Sequence, residues 1–119
     1  GFPVTGHYME LFRERLRAAG YLSSRQVRRL PSGAWVRTAG LPVRPHRPPT
    51  RSGRTVVFMS LEDELGLVEV TVFEDVYQRY GGLIFGGDAL PLSVEGKVER
   101  RGNGLSVIAA AISTLERAL

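Results

Sequence analysis

The stretch Val-Val-Phe-Met-Ser-Leu-Glu-Asp-Glu-Leu-Gly-Leu-Val-Glu-Val-Thr-Val-Phe, residues 56–73, alternates apolar and polar side chains on both sides of a Glu-Leu-Gly turn. That alternation predicts a β-hairpin, because successive side chains along a strand point to opposite faces. On the first arm Val57, Met59 and Leu61 share one face, while Val56, Phe58 and Ser60 share the other. On the second arm Val68, Val70 and Val72 lie together, leaving Leu67, Glu69, Thr71 and Phe73 opposite. If the aliphatic faces close a core, the Phe58 ring stands outside among hydroxyls and a carboxylate. A planar apolar ring in such company suits base stacking, with Ser60, Glu69 and Thr71 as its polar surroundings. The competing expectation for Phe58 is burial beneath the amino-terminal helices.

Working outward, the chain of 119 residues with 43% hydrophobic content holds enough apolar side chain for one core. No run reaches the roughly 18 to 20 apolar residues of a membrane span, and the amino terminus lacks a charged-then-apolar leader. The expectation is a cytoplasmic chain with no membrane partner. The opening Gly-Phe-Pro-Val-Thr-Gly, without Met, reads as a piece cut from something longer. There is no Cys, and His7 and His46 are far apart, so neither a disulfide framework nor a metal site is expected, and no cofactor.

The charge is +4 with a pI near 10.1, but its distribution is more telling. Between Glu14 and Glu62 there is no acidic residue, while Arg15, Arg17, Arg25, Arg28, Arg29, Arg37, Arg44, Arg47, Arg51 and Arg54 all fall there. Such a run attracts a polyanion. The bland reading is codon bias toward Arg, since Lys97 is the only lysine. Clustering favours nucleic acid.

Residues 1–31 form a predicted helical appendage and 32–119 a barrel. In the appendage Met9, Phe12, Leu16 and Ala19 make one stripe of a helix stopped by Gly20. Ser23 and Gln26 then form a capping box with Leu22 and Val27 at the staple positions, in a helix expected to end near Leu30 before Pro31. Strand one is expected over 34–44, with a bulge at Ala39-Gly40 where the apolar phase shifts. Residues 45–53 read as a loop. After the hairpin, residues 74–80 make a short helix with Val76, Tyr77 and Tyr80 inward, ended by Gly81-Gly82. Leu90, Leu92, Val94 and Val98 mark a fourth strand, with Pro91 facing away, and a turn at 101–104 leads to a fifth over 105–112. Its faces are ambiguous, because Val107, Ile108 and three alanines are all apolar.

Strand, arginine-rich loop, strand, turn, strand, helix, strand, turn, strand is the order of a five-stranded oligonucleotide-binding (OB-fold) Greek-key barrel, an all-β core with a helix between strands three and four. In such barrels the ligand crosses strands two and three, gripped by the loops joining strands one to two and four to five. Here the first loop carries Arg44, Arg47, Arg51 and Arg54 and the second Arg100 and Arg101, candidate phosphate clamps flanking Phe58. The alternatives are ordinary solvated charge and, for the second pair, neutralisation by Glu95 and Glu99. Trp35 points outward on strand one and is expected to anchor the appendage by packing. Glu62, Asp63 and Glu64 are expected as a solvated turn rather than a two-metal cluster. Gly81-Gly82 and Gly86-Gly87-Asp88 read as hinges, and no nucleophile, base and orienter set exists.

The residues 44–53 Arg-Pro-His-Arg-Pro-Pro-Thr-Arg-Ser-Gly, followed by 56–66, closely resemble the carboxyl-terminal part of bacterial DNA polymerase III α subunits, most of all the error-prone paralogue. Gly6-His7, Ala39-Gly40-Leu41, Phe73-Glu74-Asp75-Val76-Tyr77 and Val94-Glu95-Gly96-Lys97-Val98 extend the likeness over nearly the whole chain. His46 stands where that family often has Gln, Phe73 where the error-prone branch often has Trp, and Pro91 in a strand usually aliphatic. The resemblance implies a barrel binding single-stranded DNA in replication or error-prone repair synthesis, non-catalytic itself because the polymerase carboxylates lie in other domains. It implies single-stranded DNA and other polymerase domains or replisome proteins as partners. Phe58, Leu61 and Asp63 also resemble the anticodon-binding barrel of aspartyl-type tRNA synthetases, where the matching aromatic stacks on a base. An interaction module with its face covered by Trp35 and the helices is the alternative; a phosphoesterase using Glu62 and Asp63, and a sequence-specific RNA binder, are further ones.

Overall fold

The computed structural model describes residues 8–86 and 90–119; the readings of Gly6-His7 and of Gly87-Asp88 lie outside them. Five strands, β1 (Trp35–His46), β2 (Val56–Asp63), β3 (Gly66–Phe73), β4 (Leu92–Arg101) and β5 (Gly104–Thr114), close a barrel in the order β1-β2-β3-β5-β4. All neighbours are antiparallel except β3 and β5, which run parallel and complete the ring. The hairpin forms in the register its alternation dictates, with Met59 opposite Val70 and Phe58 opposite Thr71. Val57, Met59, Leu61, Val68, Val70 and Val72 are all buried, joined by Val36, Val94, Val98, Val107 and Ile112. Each such side chain contributes about 1.5–3 kcal/mol on leaving water.

Strand β1 serves both halves of the barrel. Residues 35–40 pair with β4 and 41–46 with β2, so the chain changes partner at Gly40. A Cβ there would sit 2.7 Å from the Glu62 carbonyl oxygen, which is why the crossing takes a glycine. The bulge itself is not at Ala39-Gly40 but between Val43 and His46, where Arg44 adopts φ +50°. Strand β1 accordingly runs on through Pro45 and His46, and the loop begins later than the prolines suggest.

A second irregularity, between Glu95 and Gly96, resolves the faces of β5. Val107 and Ala109 point inward before it and Ile112 after it, so the buried phase shifts inside the alanine run.

A 3-10 turn (Tyr8–Phe12) leads into helix α1 (Arg13–Ala18), and helix α2 (Ser24–Val27) follows with both capping-box hydrogen bonds made. It stops at Val27, short of Leu30, and Val27 enters the barrel core. Met9, Leu16 and Tyr21 form a smaller core with Ala39 and with Leu115 of a carboxyl-terminal helix, α4 (Leu115–Ala118), which the sequence pattern did not signal.

Between β3 and β4 lies helix α3 (Glu74–Phe85), which passes straight through Gly81-Gly82 instead of ending there. Helical glycine costs about 1 kcal/mol against alanine, but Ile84 beyond it is buried in the core, and Gly81 lies so close to Tyr77 that a Cβ would meet the ring at 2.6 Å. Pro91 is buried rather than facing away; it precedes β4 and its carbonyl accepts from the Leu115 amide at 3.1 Å. Leu90 is likewise outside the strand, and exposed. Among the described residues no helix is long and apolar enough to cross a membrane.

Candidate nucleic-acid interface

The outer face of β2 and β3 lies open. Phe58 is 39% exposed and forms part of a groove of about 640 Å³. Pro48, Pro49 and Thr50 of the first loop make one wall; Glu99, Arg101 and Gly104 of the β4–β5 hairpin make the other. Phe58, Thr71, Phe73, Ser106 and Ile108 lie between them. Two consecutive prolines stiffen the first wall, since each fixes its own φ.

Phe58 is not alone. His46, directly opposite on β1, brings its imidazole to 5.8 Å from the Phe58 ring at 35°. Its Nδ1 lies 3.1 Å from the Arg44 carbonyl oxygen, which can only accept, so Nδ1 carries the hydrogen. The left-handed Arg44 thus turns its own carbonyl back to hold the ring that flanks the platform. A non-glycine residue at positive φ beside a bulge re-aims a side chain, and here that side chain is His46.

The polar neighbours divide. Ser60 donates to Glu69 at 2.8 Å on the exposed surface. Thr71 is buried, its hydroxyl hydrogen-bonded to that of Ser106 at 2.7 Å across the parallel β3–β5 seam. It shapes the floor rather than offering a free hydroxyl. Phe73, 46% exposed, and Ser106 complete the groove; Ser106 is invisible to local pattern because only the closing of the barrel brings it beside Thr71.

The six arginines proposed as clamps separate into free and committed groups. Arg44 and Arg51 are exposed and form no ion pair among the described residues. Arg54 pairs with the half-buried Glu74 at 3.3 Å, and the exposed Arg101 with Glu99 at 2.8 Å. Arg47 is drawn onto α3: it donates to the Tyr77 hydroxyl at 2.7 Å and lies over the Tyr77 and Phe85 rings. Arg100 departs from expectation. It bonds the Leu30 carbonyl at 2.8 Å and the Arg28 carbonyl, while its amide donates to Ser32, so it ties the end of α2 to β4. The reason is phase: Arg100 lies opposite Leu105, on the alternate side of β4 from Glu99 and Arg101.

The acid cluster is also corrected. Asp63 is 4% exposed, not solvated. Its Oδ1 accepts from the Ser24 hydroxyl (2.6 Å) and the Leu65 amide (2.9 Å), its Oδ2 from the Ser24 amide (2.7 Å) and Arg13 (3.3 Å). Arg13 also grips Glu64 through Nε at 2.7 Å and Nη2 at 2.8 Å. That hydrogen bond, with the charges of Glu64 and Asp63, raises the Arg13 pKa against the lowering effect of burial. A carboxylate engaged on both oxygens holds the hairpin tip to the helices; phosphoryl chemistry through it would require breaking that lattice.

Trp35 does not anchor the appendage either. It is 57% exposed, its Nε1–H donating to Glu95 at 2.9 Å. Among the described residues, neither it nor the amino-terminal helices line the groove.

Residues 32–115 match the family described as an OB-fold nucleic acid binding domain. The chain is 53% identical over 116 residues to an error-prone DNA polymerase of Symbiobacterium thermophilum, covering 98% of this chain and 11% of that protein. It is 37% identical over 115 residues to the error-prone DNA polymerase of Anaeromyxobacter dehalogenans, covering 97% and 10%. The chain therefore spans about a tenth of the length of the curated relatives it matches. Among solved structures it is similar to asparaginyl-tRNA synthetase from Pyrococcus horikoshii, with a TM-score of 0.62 at 21% identity over 80% of this chain and 23% of that one. It is also similar to a mitochondrial single-stranded DNA binding protein from S. cerevisiae, with a TM-score of 0.57 at 13% identity over 71% and 97%. The resemblance to error-prone polymerases and the barrel fold are both borne out.

Proposed function

The chain belongs to the OB-fold nucleic acid binding domain family, and from that premise we propose that it binds single-stranded DNA, with little sequence preference, as an accessory module of an error-prone DNA polymerase. The observation that carries the reading is the exposed Phe58, backed by His46, in a groove between two loops. A base laid on Phe58 shields apolar ring surface that the fold leaves in water. Every base has such a face, so stacking is tolerant of sequence. Ser60 and Glu69 stand beside the platform where a base edge would come, and Arg44 and Arg51 supply charge for the backbone. Arg101 and Arg54 can exchange their carboxylates for phosphate, because exposed ion pairs contribute only about 0–1 kcal/mol. Arg47 supplies field from its place on α3.

Titration of a labelled oligonucleotide by fluorescence anisotropy tests the proposal. Phe58→Ala should weaken binding by about 1–3 kcal/mol while the unfolding curve stays in place. Unchanged affinity would sink the stacking role. A second reading, docking against other polymerase domains or replisome proteins, is favoured by a separate apolar cleft lined by Tyr8, Phe12, Leu90, Leu115 and Leu119. A domain that leaves oligonucleotide anisotropy unmoved at low salt would be left with that role alone.

A further inference from the structure

We propose that Trp35 is a second stacking platform for the same strand of nucleic acid, reached from Phe58 by a path across β3, β5 and β4; the inference rests on the reading of Phe58 given above. Trp35 is the only tryptophan in the chain, yet more than half of it is in water. Its indole edge is fixed by Glu95, and among the described residues no ring or guanidinium stacks on it. An immobilised edge with open faces is a prepared surface: the ordering cost of the side chain is met before any ligand arrives.

Sheet register joins the two rings. Phe58 lies opposite Thr71, Thr71 beside Ile108, Ile108 opposite Lys97 and Lys97 opposite Trp35. Paired residues share a face of the sheet, so these side chains form one row around the outside of the barrel. Neighbouring strands are about 4.8 Å apart, and the four steps from Phe58 to Trp35 therefore cover about 19 Å of curved surface. That length suits the roughly 4–16 nucleotides such barrels engage. The groove already occupies its first half, from Phe58 to Ile108.

Charge favours a polyanion over a protein surface on this path. Lys97 sits between the rings, exposed and without an ion pair among the described residues. Arg37, on the same side of β1 as Trp35, adds a second cation. The acids that face the path are engaged, Glu69 by the Ser60 hydroxyl, Glu95 by the indole and Glu99 by Arg101.

The test uses the fact that a single tryptophan makes emission report one site. The intact chain is titrated with a thymidine dinucleotide, too short to span about 19 Å, and with an oligodeoxythymidylate of about 12 nucleotides, following anisotropy and tryptophan emission together. The longer strand should quench the emission and the shorter should not. Trp35→Ala should weaken the longer at least about fivefold, leave the shorter unchanged and leave the melting curve in place, with Trp35→Phe intermediate. Unchanged emission at saturation with the longer strand, or an equal loss for both lengths, overturns the inference. If Phe58→Ala still weakens both, the groove survives and only the Trp35 platform falls; if neither strand binds, both readings fall.

Discussion

The two ends of the β2–β3 hairpin are built from the same alternating strands and do opposite things. At the tip, Asp63 is sealed from water and accepts hydrogen bonds on both oxygens from Ser24, Leu65 and Arg13. Away from the tip, toward the open end, Phe58 and Glu69 face outward, with apolar ring and carboxylate left partly open. Polar saturation at one end and exposed ring at the other teach where stability and binding reside: side chains whose valences are filled hold the fold, and those left unfilled are available to a ligand.

The sharpest way to break this division is Asp63→Ala. Arg13 keeps Glu64, but the buried Ser24 amide and hydroxyl and the Leu65 amide all lose their charged acceptor, so chemical unfolding should show a loss of about 3–5 kcal/mol. Oligonucleotide affinity of the folded fraction should not change. A stable variant with weakened binding would put the tip in the ligand site and end the contrast.

Next in size is a pair of arginines. Arg100→Gln should lower stability by about 0.5–1.5 kcal/mol, since the Leu30 and Arg28 carbonyls exchange a charged donor for water, and it should leave the salt dependence of binding as it was. Arg51→Gln should do the reverse, making the slope of log affinity against log salt shallower by about 0.7 for each phosphate it no longer neutralises, with no shift in the unfolding midpoint. Equal slopes for the two variants would erase the distinction between committed and free cations.

The smallest effect is expected at Glu69→Gln. The amide oxygen still accepts from Ser60, but a charge that repels phosphate is gone, so binding at low salt should tighten by about 1 kcal/mol or less. The gain should fade as salt screens it. Weaker binding instead would mean that the carboxylate itself receives an amino group from a base.

Much of this division can be read along the chain. The hairpin, its inward valines and the outward Phe58 follow from period two, and the capping box at Ser23 and Gln26 is a local interaction that local sequence encodes. What could not be read is what distant segments do to each other. Asp63 looks like a turn acid until α2 brings Ser24 to it. Gly81 and Gly82 look like a helix stop until burial of Ile84 and the closeness of Tyr77 outweigh their backbone preference. Arg100 and Arg101 are adjacent and identical in kind, and only the phase of β4 sends one beneath the helices and the other to the groove. The left-handed Arg44 and the exposed Trp35 run against the ordinary habits of their residue types, and both lie on or beside the proposed path of the strand.

The parallel join of β3 to β5 has a consequence in time as well as space. Thr71 and Ser106, whose hydroxyls meet across it, are 35 residues apart in sequence, and no part of that join exists until β5 has emerged and folded back. Joining such remote segments is entropically slow. The floor beneath Phe58 thus depends on a closure of longer range than the turn that makes its own hairpin, and a partly unravelled copy that kept the hairpin and lost the seam would lack its grip on a nucleotide.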